Sequence, residues 1–180
     1  MDRLKQRQFL YLTLRGIYLR LNLKLILGVI FLAPGMSLAQ QASVEDVATI
    51  DGIINAYYEA VSGPIGESAD ASRDRLLHHP DAWVAIAGVD QEGKPLVNVM
   101  SLDDYHGDNA PRTQAFWEWE TARETKRSGN MVHVWSSYAS ALTLKGDPFT
   151  RGVNSITLFN DGERWWIMGW MFDSSAKPSD

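Results

Sequence analysis

The first apolar pattern after residue 43 has the period of an α-helix. Its apolar side chains recur three and four residues apart, which places them along one face of a helix. Ser43 and Asp46 stand where a capping box would hold the start of the helix, and Gly63-Pro64 ends the pattern. We predict one helix between these points, packed on a sheet. The apolar positions are Val47, Ile50, Ile54, Tyr57 or Tyr58, and Val61.

The segments that follow change from the helical period to the period of two that strands show. A second, shorter helix fits Asp70 to His78, because the residue before Pro80 avoids helical backbone angles. Two short strands are predicted at Trp83 to Ala87 and Leu96 to Met100, joined by a hairpin-like connection. A second capping box, Ser101 to Asp104, indicates one or two further turns of helix.

The C-terminal part of the chain reads as a meander of four long strands separated by turn-forming residues. Helices first, then a hairpin, then a meander is an α+β layout. We expect one curved antiparallel sheet wrapped over the N-terminal helices, with another helix-on-sheet fold as the alternative. The four strands are predicted at Thr113 to Thr125, Met131 to Leu144, Phe149 to Phe159 and Arg164 to Asp173.

Residues 1–39 have the pattern of a signal peptide, which leaves residues 40–180 as the predicted domain. A basic leader precedes the apolar run Leu25 to Ala33 and the small-residue site Ser37-Leu38-Ala39, so cleavage would fall before Gln40. The apolar run is shorter than the roughly 20 residues that cross a bilayer comfortably. An uncleaved signal anchor and a misassigned start codon remain alternatives. We expect an exported protein, periplasmic or secreted.

Removal of the leader changes the charge of the protein. Residues 1–39 hold six of the 17 basic and one of the 22 acidic residues, which leaves 11 basic and 21 acidic residues, a formal charge near −10. Such a field repels nucleic-acid phosphates and anionic lipid, so neither nucleic acid nor, after cleavage, a membrane is an expected partner. The chain has no cysteine, so packing alone must stabilise it.

Several short runs resemble secreted bacterial members of the nuclear transport factor 2-like superfamily, a subgroup without an assigned activity. The similarity covers about Val44 to Phe172. The runs are Ser62-Gly63-Pro64, Glu118-Trp119-Glu120, Arg151-Gly152-Val153-Asn154-Ser155-Ile156 and Asp161-Gly162-Glu163-Arg164-Trp165-Trp166-Ile167.

That resemblance implies a cone with a pocket open at one end, and it does not imply one chemistry. SnoaL-like cyclases, ketosteroid isomerase, scytalone dehydratase, an epoxide hydrolase and noncatalytic binding proteins share this cone. None of the catalytic sets of these enzymes matches this sequence residue by residue.

Three titratable residues on the predicted strands are candidates for acid/base chemistry. Glu118 and Glu120 share a strand face, about 7 Å apart by the rise per residue. In an apolar cavity, two such carboxyl groups could separate into a raised-pKa acid and an ionised base. His133, inside the next strand, could act as a general base. The alternatives are an exposed acidic face, an ion pair with Arg123, Arg151 or Arg164, and a structural histidine.

Aromatic and polar residues on the helix and strands are candidates for the pocket wall. All seven tryptophans lie after residue 39, and both faces of the last strand are apolar. One face would meet the helices and the pocket, while the other would meet a second subunit in a homodimer or belong to one thick core. The candidate ligand-binding residues are Tyr58, Trp83, Trp135, Asn154 and Trp170.

Histidines near acidic residues are the remaining feature that carries chemistry. His78, His79 and His106 have no zinc-helix or calcium-loop spacing, and we expect loop histidines rather than a metal site. No glycine-rich phosphate loop or nucleophile elbow is present, so no cofactor is expected.

Three functions are compatible with this sequence. The first is an exported domain that binds a small apolar or aromatic molecule in an aromatic-lined cone. The second is a cofactor-independent acid/base enzyme: an isomerase, dehydratase, cyclase or hydrolase. The third is a protein interaction module that uses the open face of the sheet.

Overall fold

The computed structural model describes residues 41–173, so the predicted leader lies outside the described residues. Within this range no helix is long and apolar enough to span a membrane. The helices of the described range are α1 (Val44–Val47), α2 (Ile50–Val61), α3 (Ala71–Leu77) and α4 (Leu102–His106). The strands are β1 (His78–Val89), β2 (Pro95–Ser101), β3 (Trp117–Ser128), β4 (Met131–Ala141), β5 (Thr150–Asn160) and β6 (Trp165–Asp173).

The six strands form one curved sheet with the order β2-β1-β6-β5-β4-β3, which confirms the predicted α+β architecture. One detail differs from the expectation, because β1 and β6 are parallel while all the other pairs are antiparallel. The chain leaves β2 and re-enters the sheet at the opposite edge as β3. Strands β3 to β6 then pair one after another across the sheet, so that β6 lies beside β1. Because β6 is parallel to β1, the sheet is mixed.

The first predicted helix is broken into two. The Ser43 side chain makes no capping hydrogen bond, so the predicted capping box is absent. The helix instead restarts at Thr49, whose hydroxyl accepts a hydrogen bond from the Gly52 amide at 2.9 Å. A side chain on Gly52 would overlap the backbone oxygen of Glu45, so the glycine allows α1 to fold back against α2.

The other two predicted helices are present, and the cap expected at Ser101 is formed. Asp70 accepts a hydrogen bond from the Arg73 amide at 2.9 Å, and Ser101 accepts one from the Asp104 amide at 3.1 Å. The predicted strands are all present, although their ends differ by several residues. The largest difference is in β1, which already begins at His78.

A bulge in β6 changes which of its side chains face the core. Thr157 pairs with Gly169 and Leu158 pairs with Ile167, which leaves Met168 as an extra residue. Strict alternation along the strand would place Trp165 and Ile167 on the face opposite to Trp170 and Phe172, and the bulge brings all four to the same face. The side chains that face the core are Trp165 and Ile167 before the bulge and Trp170 and Phe172 after it.

The core lies between the concave face of this sheet and helix α2. Its central strand residues and its helix residues are almost completely removed from water, which is the main source of stability in a chain without disulfides. The residues are Ile53, Ile54 and Tyr57 on α2, and Val132, Val134, Ile156, Leu158 and Ile167 on the sheet.

Candidate functional site

One end of the concave face is not filled by the core and forms a cavity of about 320 Å³. The inner faces of β3, β4, β5 and β6 form its floor, and residues of α2 and α4 form its roof. Its size lies at the lower end of the range for small-molecule sites. The lining residues are Tyr57, Val61, Tyr105, Phe116, Glu118, Tyr138, Ser140, Thr150, Arg151, Asn154, Trp170, Phe172 and Asp173.

A glycine on β5 shapes this cavity. Tyr138 and Gly152 are direct partners across the β4–β5 pair. A side chain on Gly152 would overlap the Tyr138 ring, so its absence lets the ring lie flat across the neighbouring strand. Glycine at this position therefore allows Tyr138 to lie along the cavity wall.

Glu118 is the carboxyl group inside the cavity. Its Oε2 accepts a hydrogen bond from the Ser140 hydroxyl at 2.8 Å, and its backbone amide donates to Ser62 Oγ at 2.9 Å. Burial raises the pKa of Glu118 from 4.5 to about 7, because desolvation outweighs the opposing effect of the Ser140 hydrogen bond. Both protonation states of this carboxyl are therefore populated at neutral pH.

Aromatic side chains surround that carboxyl group. The Trp170 ring makes edge contacts with Tyr57 and Tyr105, at centroid distances of 5.7 and 5.0 Å. Burial raises the pKa of both tyrosines, that of Tyr105 to about 12, so their hydroxyl groups stay protonated and neutral. The buried Trp170 indole N–H has no hydrogen-bond partner within residues 41–173. The site thus offers neutral donors around the Glu118 carboxyl, and a second carboxyl residue, Asp173, belongs to the lining.

Glu120 lies on the same concave side of β3, but it does not line the cavity. Arg123 binds its carboxylate through Nε and Nη2, with the Nη2–Oε2 distance at 2.6 Å. The Ser136 hydroxyl donates to Oε1 at 2.5 Å. The two carboxyl groups therefore have different environments: Glu118 faces open space, and Glu120 is held in an ion pair with Arg123.

His133 does not join these two carboxyl groups. It lies on the opposite, convex face of the sheet, where its Nε2 contacts Ser155 Oγ at 2.9 Å. It shares a shallow surface depression with Glu124, Lys126 and Trp135. The three candidate acid/base residues therefore do not converge on one site, because strand alternation points His133 away from the helices.

The five candidate ligand-binding residues are also divided between the two faces. Asn154 and Trp170 line the cavity, and Tyr58 lies one layer behind it, with its hydroxyl 3.2 Å from Asn154 Nδ2. Trp83 and Trp135 lie on the convex face, 41% and 48% exposed. The Trp83 ring covers Gly169, where a side chain would overlap it.

Some cavity residues were not singled out from the sequence. Tyr105, Ser140 and Phe172 come from α4, β4 and β6, and none belongs to a recognisable motif. Ser140 could have been found only from the β3–β4 register, in which it is the direct partner of Glu118. The sequence fixes no such register without knowledge of the bulge between Glu120 and Ala122.

Two histidines predicted to be loop residues are in fact buried around an aspartate. His106 Nε2 lies 3.0 Å from Asp74 Oδ2, and His78 Nδ1 lies 2.8 Å from the Asp74 carbonyl oxygen. Burial lowers the pKa of His78. No group of three or more metal-ligand side chains occurs in the described part of the chain. The cluster joins α3, β1 and α4 behind the cavity.

A larger cleft of about 810 Å³ lies against α1, α3 and the start of β6. Its polar side chains already bind one another. Arg164 lies 3.6 Å from the Trp166 ring and donates to the Leu76 carbonyl, and the Trp166 indole donates to Asp161 at 2.6 Å. The smaller cavity, with its partly unpaired polar groups, is therefore the better candidate site.

Comparison with known proteins supports the fold. No family model and no curated protein matches the chain. A protein from Novosphingobium aromaticivorans, described as the beta subunit of a "putative aromatic-ring-hydroxylating dioxygenase", is 13% identical. Its TM-score is 0.50 over 72% of this chain and 90% of that chain.

Two further solved structures are described as NTF2-like proteins of unknown function. That from Shewanella baltica is 15% identical and covers 67% of this chain and 86% of its own. That from Methylobacillus flagellatus is 20% identical and covers 71% and 95%. Both have a TM-score of 0.44. At these identities the similarity extends to the fold alone, and it agrees with the curved α+β sheet that the sequence predicted.

The raised pKa of Glu118 predicts a specific pH dependence of stability. Between pH 4.5 and about 7 the folded protein keeps a proton that the unfolded chain has lost, so the free energy of unfolding falls as pH rises. The whole effect is about 3 kcal/mol, on the order of 1.4 kcal/mol for each unit of pKa difference. Glu118→Gln removes this titration, so the variant should gain stability relative to the wild type as pH rises through this window.

Urea unfolding of the two proteins from pH 4.5 to 8 measures this difference. Glu92→Gln, in the exposed β1–β2 turn, is the matched control and should track the wild type. If the stability difference between Glu118→Gln and the wild type were the same at every pH, the assignment of a raised pKa would be refuted.

Proposed function

We propose that this protein binds a small, uncharged, apolar or aromatic molecule in the cavity around Glu118. The observation that carries the proposal is the cavity itself: about 320 Å³ remain open beneath the sheet, although the chain has seven tryptophans with which to fill it. The aromatic walls would contribute most of the binding energy, and the polar groups would orient the molecule.

The charge of the site favours a neutral ligand. Glu118 can take up a proton near neutral pH, and the lining tyrosines stay uncharged. Among the described residues, Arg151 is the only cationic side chain in the lining, and Asp173 supplies an opposite charge to it. Burying an ion beside aromatic rings without a full counter-charge costs several kcal/mol, so a charged ligand would bind weakly.

The binding experiment is native mass spectrometry of the purified full chain, followed by identification of any released small molecule. We expect one copurifying molecule per chain. Val61→Phe, which fills the cavity, should abolish that occupancy, whereas Val99→Phe, the same change on the exposed strand β2, should keep it. Equal occupancy in both variants, each shown to be folded by circular dichroism, would mean that the molecule binds elsewhere.

A second candidate function is acid/base catalysis without a cofactor. The pKa of Glu118 near 7 favours it, because a group that titrates near the working pH is the most efficient proton-transfer catalyst. Neither Glu120 nor His133 would take part, since the first is paired with Arg123 and the second lies on the other face. In the mass spectrometry experiment, catalysis would appear as a reaction product among the released molecules. The wild type should form this product, and Glu118→Gln should not.

We further propose that the protein is exported and works outside the cytoplasm. The support is the basic leader, the apolar run and the small-residue site in residues 1–39. Expressed in a Gram-negative host, the protein should be recovered from the periplasm or the medium with an intact mass that begins at Gln40. A mass that begins at Met1 would contradict cleavage.

A homodimer through the convex face of the sheet is the proposed assembly. Apolar side chains on this face remain exposed, among them Trp135 on β4 and Met171 on β6, which lie on either side of Ser155 on β5. Sedimentation velocity at micromolar concentration should show a dimer, and Trp135→Glu should shift it to monomer. His133→Gln, a polar exchange on the same face, is the control and should stay dimeric. A monodisperse wild-type monomer would remove this proposal.

A further inference from the structure

A continuous row of hydrogen bonds leads from the cavity wall to the protein surface. The Asn154 side-chain amide lies 3.2 Å from the Tyr58 hydroxyl, which lies 2.8 Å from the Ser136 hydroxyl. Ser136 lies 2.5 Å from Glu120, and Arg123 bridges Glu120 to Asp51 at the surface. Strands β3, β4 and β5 and helix α2 thus contribute to one polar network.

The charge at the outer end gives this row a direction. Arg123 holds Glu120 as a carboxylate, through two hydrogen bonds to Oε2 at 3.0 and 2.6 Å. An ionised carboxylate can only accept, so Ser136 must donate its single hydroxyl proton to Glu120. The Ser136 oxygen is then free to accept from Tyr58.

Because each hydroxyl group has one proton to donate, the inner end of the row is oriented as well. Tyr58 also has a single hydroxyl proton, and it is directed to Ser136, so the Tyr58 oxygen must accept from Asn154. Only the amide nitrogen of Asn154 can donate, and it lies towards Tyr58. Burial raises the pKa of Tyr58, so the hydroxyl keeps this proton at every physiological pH.

This orientation determines what Asn154 presents to the cavity. Its side chain is almost fully buried and lines the cavity, and its amide nitrogen is engaged behind the wall. Within residues 41–173 no side chain or backbone amide donates to its carbonyl oxygen. Asn154 Oδ1 is therefore an acceptor that needs a hydrogen bond from whatever occupies the cavity.

We propose that Asn154 is the specificity-determining residue of the cavity, and that it selects a ligand carrying a hydrogen-bond donor, a hydroxyl or N–H group on an apolar or aromatic body. This inference rests on the proposed binding function. Glu118 does not discriminate in the same way, because its protonated form donates and its ionised form accepts. Asn154 Oδ1 only accepts, since the Glu120–Arg123 pair fixes the direction of the whole row and directs the amide nitrogen to Tyr58.

The first test uses three probes of nearly equal shape: 2-naphthol, which has a donor, 2-methoxynaphthalene, which has only an acceptor, and naphthalene, which has neither. Calorimetric titration of the wild type should give one site, with 2-naphthol bound about tenfold or more tightly than either of the other two. A ligand that leaves the buried Asn154 carbonyl unpaired loses about that much. Equal affinities, or a preference for the ether, would overturn the inference.

The second test asks whether the direction of the row is responsible. Asn154→Leu removes the acceptor and should abolish the preference for 2-naphthol. Glu120→Gln removes the fixed carboxylate acceptor and supplies an amide that can donate to Ser136, so the row can reverse and the preference should shrink. Asp51→Asn, which also removes a partner of Arg123 but leaves Glu120 ionised, should keep the full preference. Loss of the preference in Asp51→Asn, or its retention in Asn154→Leu, would contradict the mechanism.

These outcomes separate the inference from the proposed function. If all three probes bind at one site that Val61→Phe blocks, but without a preference, the cavity binds small molecules and only the role of Asn154 fails. If none of the three binds, both the proposed function and this inference fail.

Discussion

The polar side chains that strands place at the centre of the concave face are removed from water and must find partners inside the protein. The partners are supplied by the neighbouring strand: Ser140 donates to Glu118, and Ser136 donates to Glu120. An unpaired buried polar group would cost about 1–3 kcal/mol, so these pairs constrain the structure strongly. The cavity exists where this pairing is left incomplete.

The two glutamates show how strongly the charge of a buried carboxyl group depends on the number of its hydrogen-bond and ion-pair partners. Glu120 has Arg123 and Ser136, and its charge is compensated. Glu118 has one neutral hydroxyl partner and no cation, so burial dominates and its pKa rises to about 7. One strand thus carries two identical side chains, two residues apart, with one suited to structure and the other to a ligand site.

The sequence predicted the features that local patterns determine. The α+β layout, the cap of α4, and the presence of every strand follow from periodicity and turn chemistry over a few residues. It also selected Glu118, Asn154 and Trp170, which line the cavity, because each lies on a strand where alternation brings apolar and polar positions together. The curved sheet packed on helices was expected from the order of elements and is confirmed.

The features that the sequence did not predict depend on contacts between distant segments. The bulge at Met168 reverses the two faces of β6, and the helix break before Thr49 depends on how closely α1 approaches Gly52. His133 was grouped with the glutamates because strand alternation does not say which face is concave. The pairing of Asp74 with His106 joins α3 to α4 across 32 positions of chain, and no local pattern indicates it.

The most direct measurement of the central claim is a carbon-13 NMR titration of the Glu118 side-chain carboxyl, with and without saturating 2-naphthol. The structure predicts a midpoint near pH 7 for the free protein. It predicts a higher midpoint when the ligand displaces water from the cavity, because the charged form is then solvated less well. A midpoint near 4.5 that does not change when the ligand is added would show that Glu118 lies in water and that the cavity is not a binding site.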